Sequence, residues 1–266
     1  MVRDMTSGNP TKLIFSFAVP MLIGNVFQQF YNMVDAIIVG RFVGVNALAA
    51  VGATGAMSFL ILGFVIGLTV GFSVIVSQRF GANDEAGLRQ AVTMSVLLSI
   101  VGTIVITTAS MLSARTLLEF MKTPKDIIDD AFIYIFIICG GIFATIFYNL
   151  LSAILRALGD SKTPLIFLII SSIINVVLDI LFVKTFNMGV AGAAYATVAA
   201  QAISGVMCLF YINKKYPILH LHKSDWAINW QTIFQLLKLG LPTAIQNSVT
   251  AVGVMIVQTA VNLLGS

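Results

Sequence analysis

From Leu13 to Val39 the chain runs through 27 residues with a single formally charged side chain, Asp35. Apolar runs of comparable length recur near 50–77, 91–113, 131–153, 164–183, 190–212 and 234–264. Each is long enough for the about 20 residues that carry an α-helix across a bilayer. The runs are continuous, whereas the strands of a membrane barrel alternate apolar and polar positions. The pattern therefore predicts an all-α, polytopic membrane protein with seven spans and short connections. The turns "QRFGANDEAGLRQ" (78–90) and "RALGDSKTP" (156–164) are two of these connections. The longest, 213–233, carries His220, His222, Trp226 and Trp230, and its tryptophans read as anchors at a membrane interface.

The polar interruptions inside the spans are few enough to be read one by one. Of eleven acidic residues, nine fall in connections or at span ends; Asp35 and Asp179 do not. A carboxylate near a helix centre costs about 2.5–3.5 kcal/mol on insertion scales, so its presence asks for a partner or a task. Asp35 lies six residues before Arg41, and Asp179 five before Lys184. At 1.5 Å per residue both sit roughly 8–9 Å inside the same boundary. In the first span Asn25, Gln28, Asn32 and Asp35 share a helical face, and in the fifth Ser171, Asn175 and Asp179 recur every four residues. Thr197, eight residues below Gly189, reaches about 12 Å down in the sixth span. Two carboxylates brought together in low dielectric need a positive ion between them, so the expected site binds a proton or a small cation such as sodium through Asp35 and Asp179. A purely structural use, as interhelical hydrogen bonds, is the alternative.

Composition agrees with the spans: 58% of residues are hydrophobic and 10% charged, with a mean hydropathy of +0.98. The net charge of +4 comes from basic residues flanking apolar spans, which makes it a topology signal and not a nucleic-acid footprint. With the amino terminus in the cytoplasm, ten Lys and Arg lie inside and five outside. The expected location is the cell membrane. Cys139 and Cys208 fall within apolar runs and read as small buried hydrophobes. His220 and His222 lack the acidic or thiol company of a metal site. No cofactor is expected beyond the coupling ion, and no G-x-x-x-x-G-K-[ST] segment occurs for an ATP-driven pump. Gly63, Gly67 and Gly71 form a stripe that lets another helix approach closely, and Pro20 marks a bend point in the first span.

The seventh span resembles the first. A shift of 222 residues pairs Pro20 with Pro242, Ile23 with Ile245, Asn25 with Asn247, Met33 with Met255 and Val39 with Val261. Both copies enter from the same side, as in a parallel repeat. The expected organisation is a six-helix lobe over 1–212, a cytoplasmic linker over 213–233, and over 234–266 the first helix of a second lobe whose remainder is missing from a fragment.

In order along the chain, the pattern "P…NxxQQxYNMVDxxxVGRFxG", then "RALGDSKTP", "NVVLD" and "GVAGAAYAT" resemble the amino-terminal lobe of the multidrug and toxic compound extrusion (MATE) family. The resemblance implies an antiporter that exports small organic, often cationic, compounds against protons or sodium, with membrane lipid as its surroundings. It implies that Asp35, Asn175, Asp179 and Thr197 form the cation site, with Gln28 and Tyr134 in its hydrogen-bond network and Pro20 as the bend of the first helix. Asn149 stands at a position that is polar in the family. Asn32 and Ser171 join the supporting set through their helical faces. Two other readings stay open: a flippase of lipid-linked precursors from the same superfamily, and a membrane-embedded aspartyl enzyme, whose motif "YNMVD" and "NVVLD" do not resemble.

Overall fold

The computed structural model describes residues 9–262, and every regular element among them is helical. Eight α-helices follow one another: α1 Pro10–Phe42, α2 Val45–Gly81, α3 Glu85–Phe120, α4 Ile128–Gly140, α5 Ile142–Ala157, α6 Lys162–Asp179, α7 Gly189–Lys215 and α8 Trp230–Asn262. A π-helical turn, Ile180–Thr185, continues α6, and two 3-10 turns, Pro217–Leu219 and Lys223–Trp226, lie between α7 and α8. Six of the helical stretches are long and apolar enough to cross a membrane, and α4 with α5 makes a seventh if the pair crosses as one. The last two residues of the predicted seventh span lie outside the described residues.

α1, α2 and α3 overrun their apolar windows at both ends, where polar caps and turns close the backbone beyond the hydrocarbon zone. Asn9 accepts from the N–H groups of Thr11 and Lys12 at 3.0 and 3.4 Å, just ahead of Pro10 at the first helical position. Asp84 caps α3 by accepting from Gly87 N–H at 2.9 Å.

One expectation is corrected: the fourth span is not a single helix over 131–153. It breaks between α4 and α5, whose axes meet at 48°. The break falls at the pair Gly140–Gly141, where a Cβ on Gly141 would run into the Val198 side chain of α7. Missing side chains let the backbone turn there and let α7 close in. The predicted fifth span likewise ends in a π turn that its apolar sequence did not announce.

Two apolar cores hold the bundle. One gathers Met57, Leu118, Ile135 and Ile142, and the other Phe72, Leu88, Leu155 and Leu236. Lipid tails are as apolar as these side chains, so close backbone approach matters more here than removal from water. The glycine stripe supplies it. A Cβ on Gly67 would lie 2.5 Å from Ala244 Cα, and one on Gly71 would strike Gly240. The stripe on α2 is thus the seat of α8, and Asn247 Nδ2 adds a hydrogen bond to Gly63 O at 3.0 Å. Cys139 and Cys208 are buried and free.

Candidate cation-binding site

α1 lies along α6, where a Cβ built on Gly24 would sit at ordinary contact distance from Leu165 and Leu168. This pairing brings together the two acids of the spans. Asp35 sits in the last two turns of α1, and Asp179 is the residue at which α6 passes into its π turn. Asp179 is fully buried and Asp35 is 7% exposed. Their carboxyl groups lie within hydrogen-bonding reach of each other.

Around the pair, neighbours come from three further turns of helix. Asn175, one turn before Asp179 and fully buried, donates its amide to Asp179 Oδ2 at 2.8 Å and accepts from the Thr197 backbone N–H at 3.2 Å. That network is what assigns the orientation of the amide. Thr197 on α7 accepts at its hydroxyl from Tyr31 OH at 3.4 Å. Tyr134 of α4 is buried within electrostatic range of Tyr31 and both carboxyls. Four helices therefore converge on the acids. At the adjoining end of the bundle Lys184 Nζ lies 5.3 Å from the centre of the Phe42 ring, which fastens the π turn to the end of α1.

The other predicted residues are distributed as follows. Gln28 is half-buried on the face of Asp35, while Asn25 and Asn32, farther round the helix, are exposed. Ser171 is buried and donates to Ala200 O at 3.1 Å, tying α6 to α7. Asn149 donates to Thr145 O of its own helix at 2.8 Å. Pro20 is buried inside α1. Tyr31 is the site member that sequence reasoning missed. Its signal was available, since it precedes Asp35 by four residues and follows Gln28 by three.

Two ionised carboxylates are acceptors only and cannot hydrogen-bond to each other. Oδ1 of Asp35 and Oδ1 of Asp179 are buried without a hydrogen-bond partner among the described residues. Buried acceptors left in that state are costly, and a proton or a bound cation would satisfy them. The neighbouring donors are carboxylate, amide and hydroxyl oxygens, which suit a hard cation. Among the described residues no three His, Cys, Asp or Glu side chains gather into a site for a transition metal.

Known proteins resemble the chain in sequence and in fold. The MatE family model matches residues 20–181, more than half of the chain and both acids with it. The Bacillus subtilis protein named "Probable multidrug resistance protein YpnP" is 34% identical over 266 residues, covering 98% of this chain and 58% of that protein. A solved structure described as the outward-facing conformation of a multidrug resistance MATE family transporter has a TM-score of 0.83 at 29% identity, covering 90% of this chain and 53% of the other. A MOP superfamily transporter from Pyrococcus furiosus, for which a reversed pocket polarity and a different function are suggested, matches with the same TM-score, identity and coverage. The chain spans a little over half the length of these relatives. With the family model spanning α1 to the π turn and the fold shared at this level, the chain belongs to the MatE family of multidrug and toxic compound extrusion proteins.

Proposed function

We propose that the chain forms the ion-coupling part of an exporter of small organic, often cationic, compounds, driven by inward flow of protons or sodium. In this reading residues 1–212 are one lobe, 213–233 a linker and 234–266 the opening of a second lobe. The observation that carries it is the facing pair of buried carboxyls, Asp35 and Asp179, each with an oxygen left without a partner. Ion entry removes the repulsion between them and favours states in which α1 and α6 are drawn together. Substrate must favour the opposite state, and the difference in affinity is the coupling free energy. Asn175, Thr197 and Tyr31 hold the pair in register, and Pro20 gives α1 a place to bend.

The amino terminus is proposed to face the cytoplasm. The α2–α3 turn, the α5–α6 turn and the α7–α8 linker meet at one end of the bundle, through Arg89 to Asp225 at 3.4 Å and Tyr216 to Asp160 at 3.0 Å. The Lys and Arg excess of these connections thereby falls on one side, as the positive-inside rule asks. The curated relatives are named as probable multidrug resistance proteins and a solved structure of the same fold is described as that of a transporter, which sets the enzyme reading aside. The flippase reading asks for a basic cavity, whereas the polar cluster here is acidic and Lys184 stands outside it over Phe42.

The test uses the full-length protein in liposomes, with proton and sodium gradients imposed separately. Asp35→Asn and Asp179→Asn should each lower gradient-driven drug movement by about 5- to 150-fold, the span of a coupling free energy of about 1–3 kcal/mol. Native rates in both variants would end the proposal.

A further inference from the structure

We propose that the groove between α2 and α8, at the end of the bundle that carries the linker, is a binding site for an anionic phospholipid. The groove has a volume of about 420 Å³ and is lined by Ile75, Gln78 and Arg79 from α2 and by Gln235, Lys238 and Leu239 from α8. Two cations and two amides therefore face the space, and no carboxylate lines it. Lys238 is exposed and forms no ion pair among the described residues. Arg79 gives one guanidinium nitrogen to Asp84 at 3.0 Å, and a guanidinium has further N–H donors to offer. Basic pockets between membrane helices are suited to lipid phosphates.

The walls decide between a lipid and a free anion. One and two turns farther into the membrane-crossing part, α2 exposes Val74 and Val70, and α8 exposes Leu241 and Ile245. A phosphate at the mouth would therefore lay its acyl chains on apolar surface, which a soluble anion cannot use. The floor is fixed, because α2 and α8 meet backbone to backbone at Gly71 and Gly240. Trp226 and Trp230, exposed at the same end, set the level of the headgroups. In this position the lipid would bridge α8 to α2, adding an external contact to the glycine seam.

The measurement is native mass spectrometry of the purified full-length protein in a non-ionic detergent, titrated with dioleoylphosphatidylglycerol, with dioleoylphosphatidylcholine and with inorganic phosphate. The double variant R79Q/K238Q should bind phosphatidylglycerol about 30-fold more weakly, each basic residue near an anionic surface contributing about a five-fold factor. Lys238→Gln alone should show about a five-fold loss without touching the Arg79 to Asp84 pair. Lys215→Gln, at the same end but outside the groove, should leave binding within about two-fold. The variants should melt with the wild type when no lipid is added, which separates lost binding from lost folding. Equal affinity of wild type and double variant for phosphatidylglycerol, or equal binding of phosphatidylcholine by the wild type, overturns the proposal. So does inorganic phosphate that binds with the same dependence on Arg79 and Lys238, because the groove would then be an anion site that ignores acyl chains.

Discussion

α1 and α8 are both 33 residues long, and the shift of 222 residues lays their prolines and one asparagine on each other. They are nonetheless held in different ways. α8 meets α2 backbone to backbone at Gly67 and Gly71, while α1 meets α6 through Leu165 and Leu168 at distances of 3.7 and 3.9 Å from a Cβ built on Gly24. Pro20 is buried and Pro242 exposed. Asn247 bonds to Gly63 O, whereas Asn25 is exposed. The position matching Asp35 is Val257, 64% exposed. One copy thus carries the acid on a helix packed by yielding side chains, and the other carries no acid on a helix seated against backbone. The proposed cation switch would need an element that can move, and the acid pair sits on the copy whose packing permits it.

The sharpest way to break this comparison is to exchange the chemistry. Val257→Asp places an acid at the matching depth of α8 with no second carboxyl and no Asn175 to receive it. It should cost up to about 3 kcal/mol of membrane insertion, read as a fall in the inserted fraction in a glycosylation-mapping assay. Asp35→Val should insert at least as well as the wild type, since it removes a buried acid. Loss of insertion in Asp35→Val would mean that the acid pair is structural glue.

Next comes the packing difference. Gly67→Val puts atoms where Ala244 Cα already stands, so α8 must shift, and overpacking of this kind costs about 1–3 kcal/mol. Gly24→Ala meets only leucine methyl groups at contact distance and should change stability by less than about 1 kcal/mol, with the gain in helix propensity offsetting any crowding. Thermal melts of the two variants in detergent should separate clearly. A smaller effect belongs to Asn247→Ala, about 1 kcal/mol for one lost interhelical hydrogen bond, against no measurable change for the exposed Asn25→Ala.

Much of this was legible in the sequence, and the failures have physical causes. Hydropathy runs locate spans because lipid imposes one rule on every crossing backbone. Similar distances from a flanking cation placed Asp35 and Asp179 at one depth, and spacing in fours found Asn175. The break at Gly141 was missed because an apolar run reads the same whether its helix is straight or bent; the reason for the bend, Val198, lies far away in the chain. Tyr31 was missed because the polar face of the first span was drawn through Asn25, Gln28, Asn32 and Asp35, which takes Asn32 in its place. Asn32 lies about 60° farther round the helix from Asp35 and stays exposed, while Tyr31 turns inward to Thr197. No sequence signal announced that α2 would be the seat of α8; the glycines promised a close partner without naming it.

The smallest effect expected lies at the two helix starts, where an asparagine caps each copy. Asn9 is exposed and accepts from Thr11 and Lys12 N–H groups. Asn229 accepts from Thr232 N–H at 3.0 Å, and its own amide donates to Gln90 Oε1 at 3.0 Å, which also accepts from Thr232 Oγ1 at 3.3 Å. The cap of α8 is thus tied to α3, and that of α1 to nothing beyond its own first turn in these bonds. Asn229→Asp keeps the capping oxygen and removes the donor to Gln90, so it isolates the tie. The lost hydrogen bond is partly offset by the favourable charge at a helix amino terminus, which returns about 0.3–1 kcal/mol, so the net fall in stability should stay under about 1 kcal/mol. Asn9→Asp keeps its cap and loses no tie, so it should match or slightly exceed the wild type. If both variants melt with the wild type, the Asn229 bond to Gln90 contributes nothing to the hold on α8.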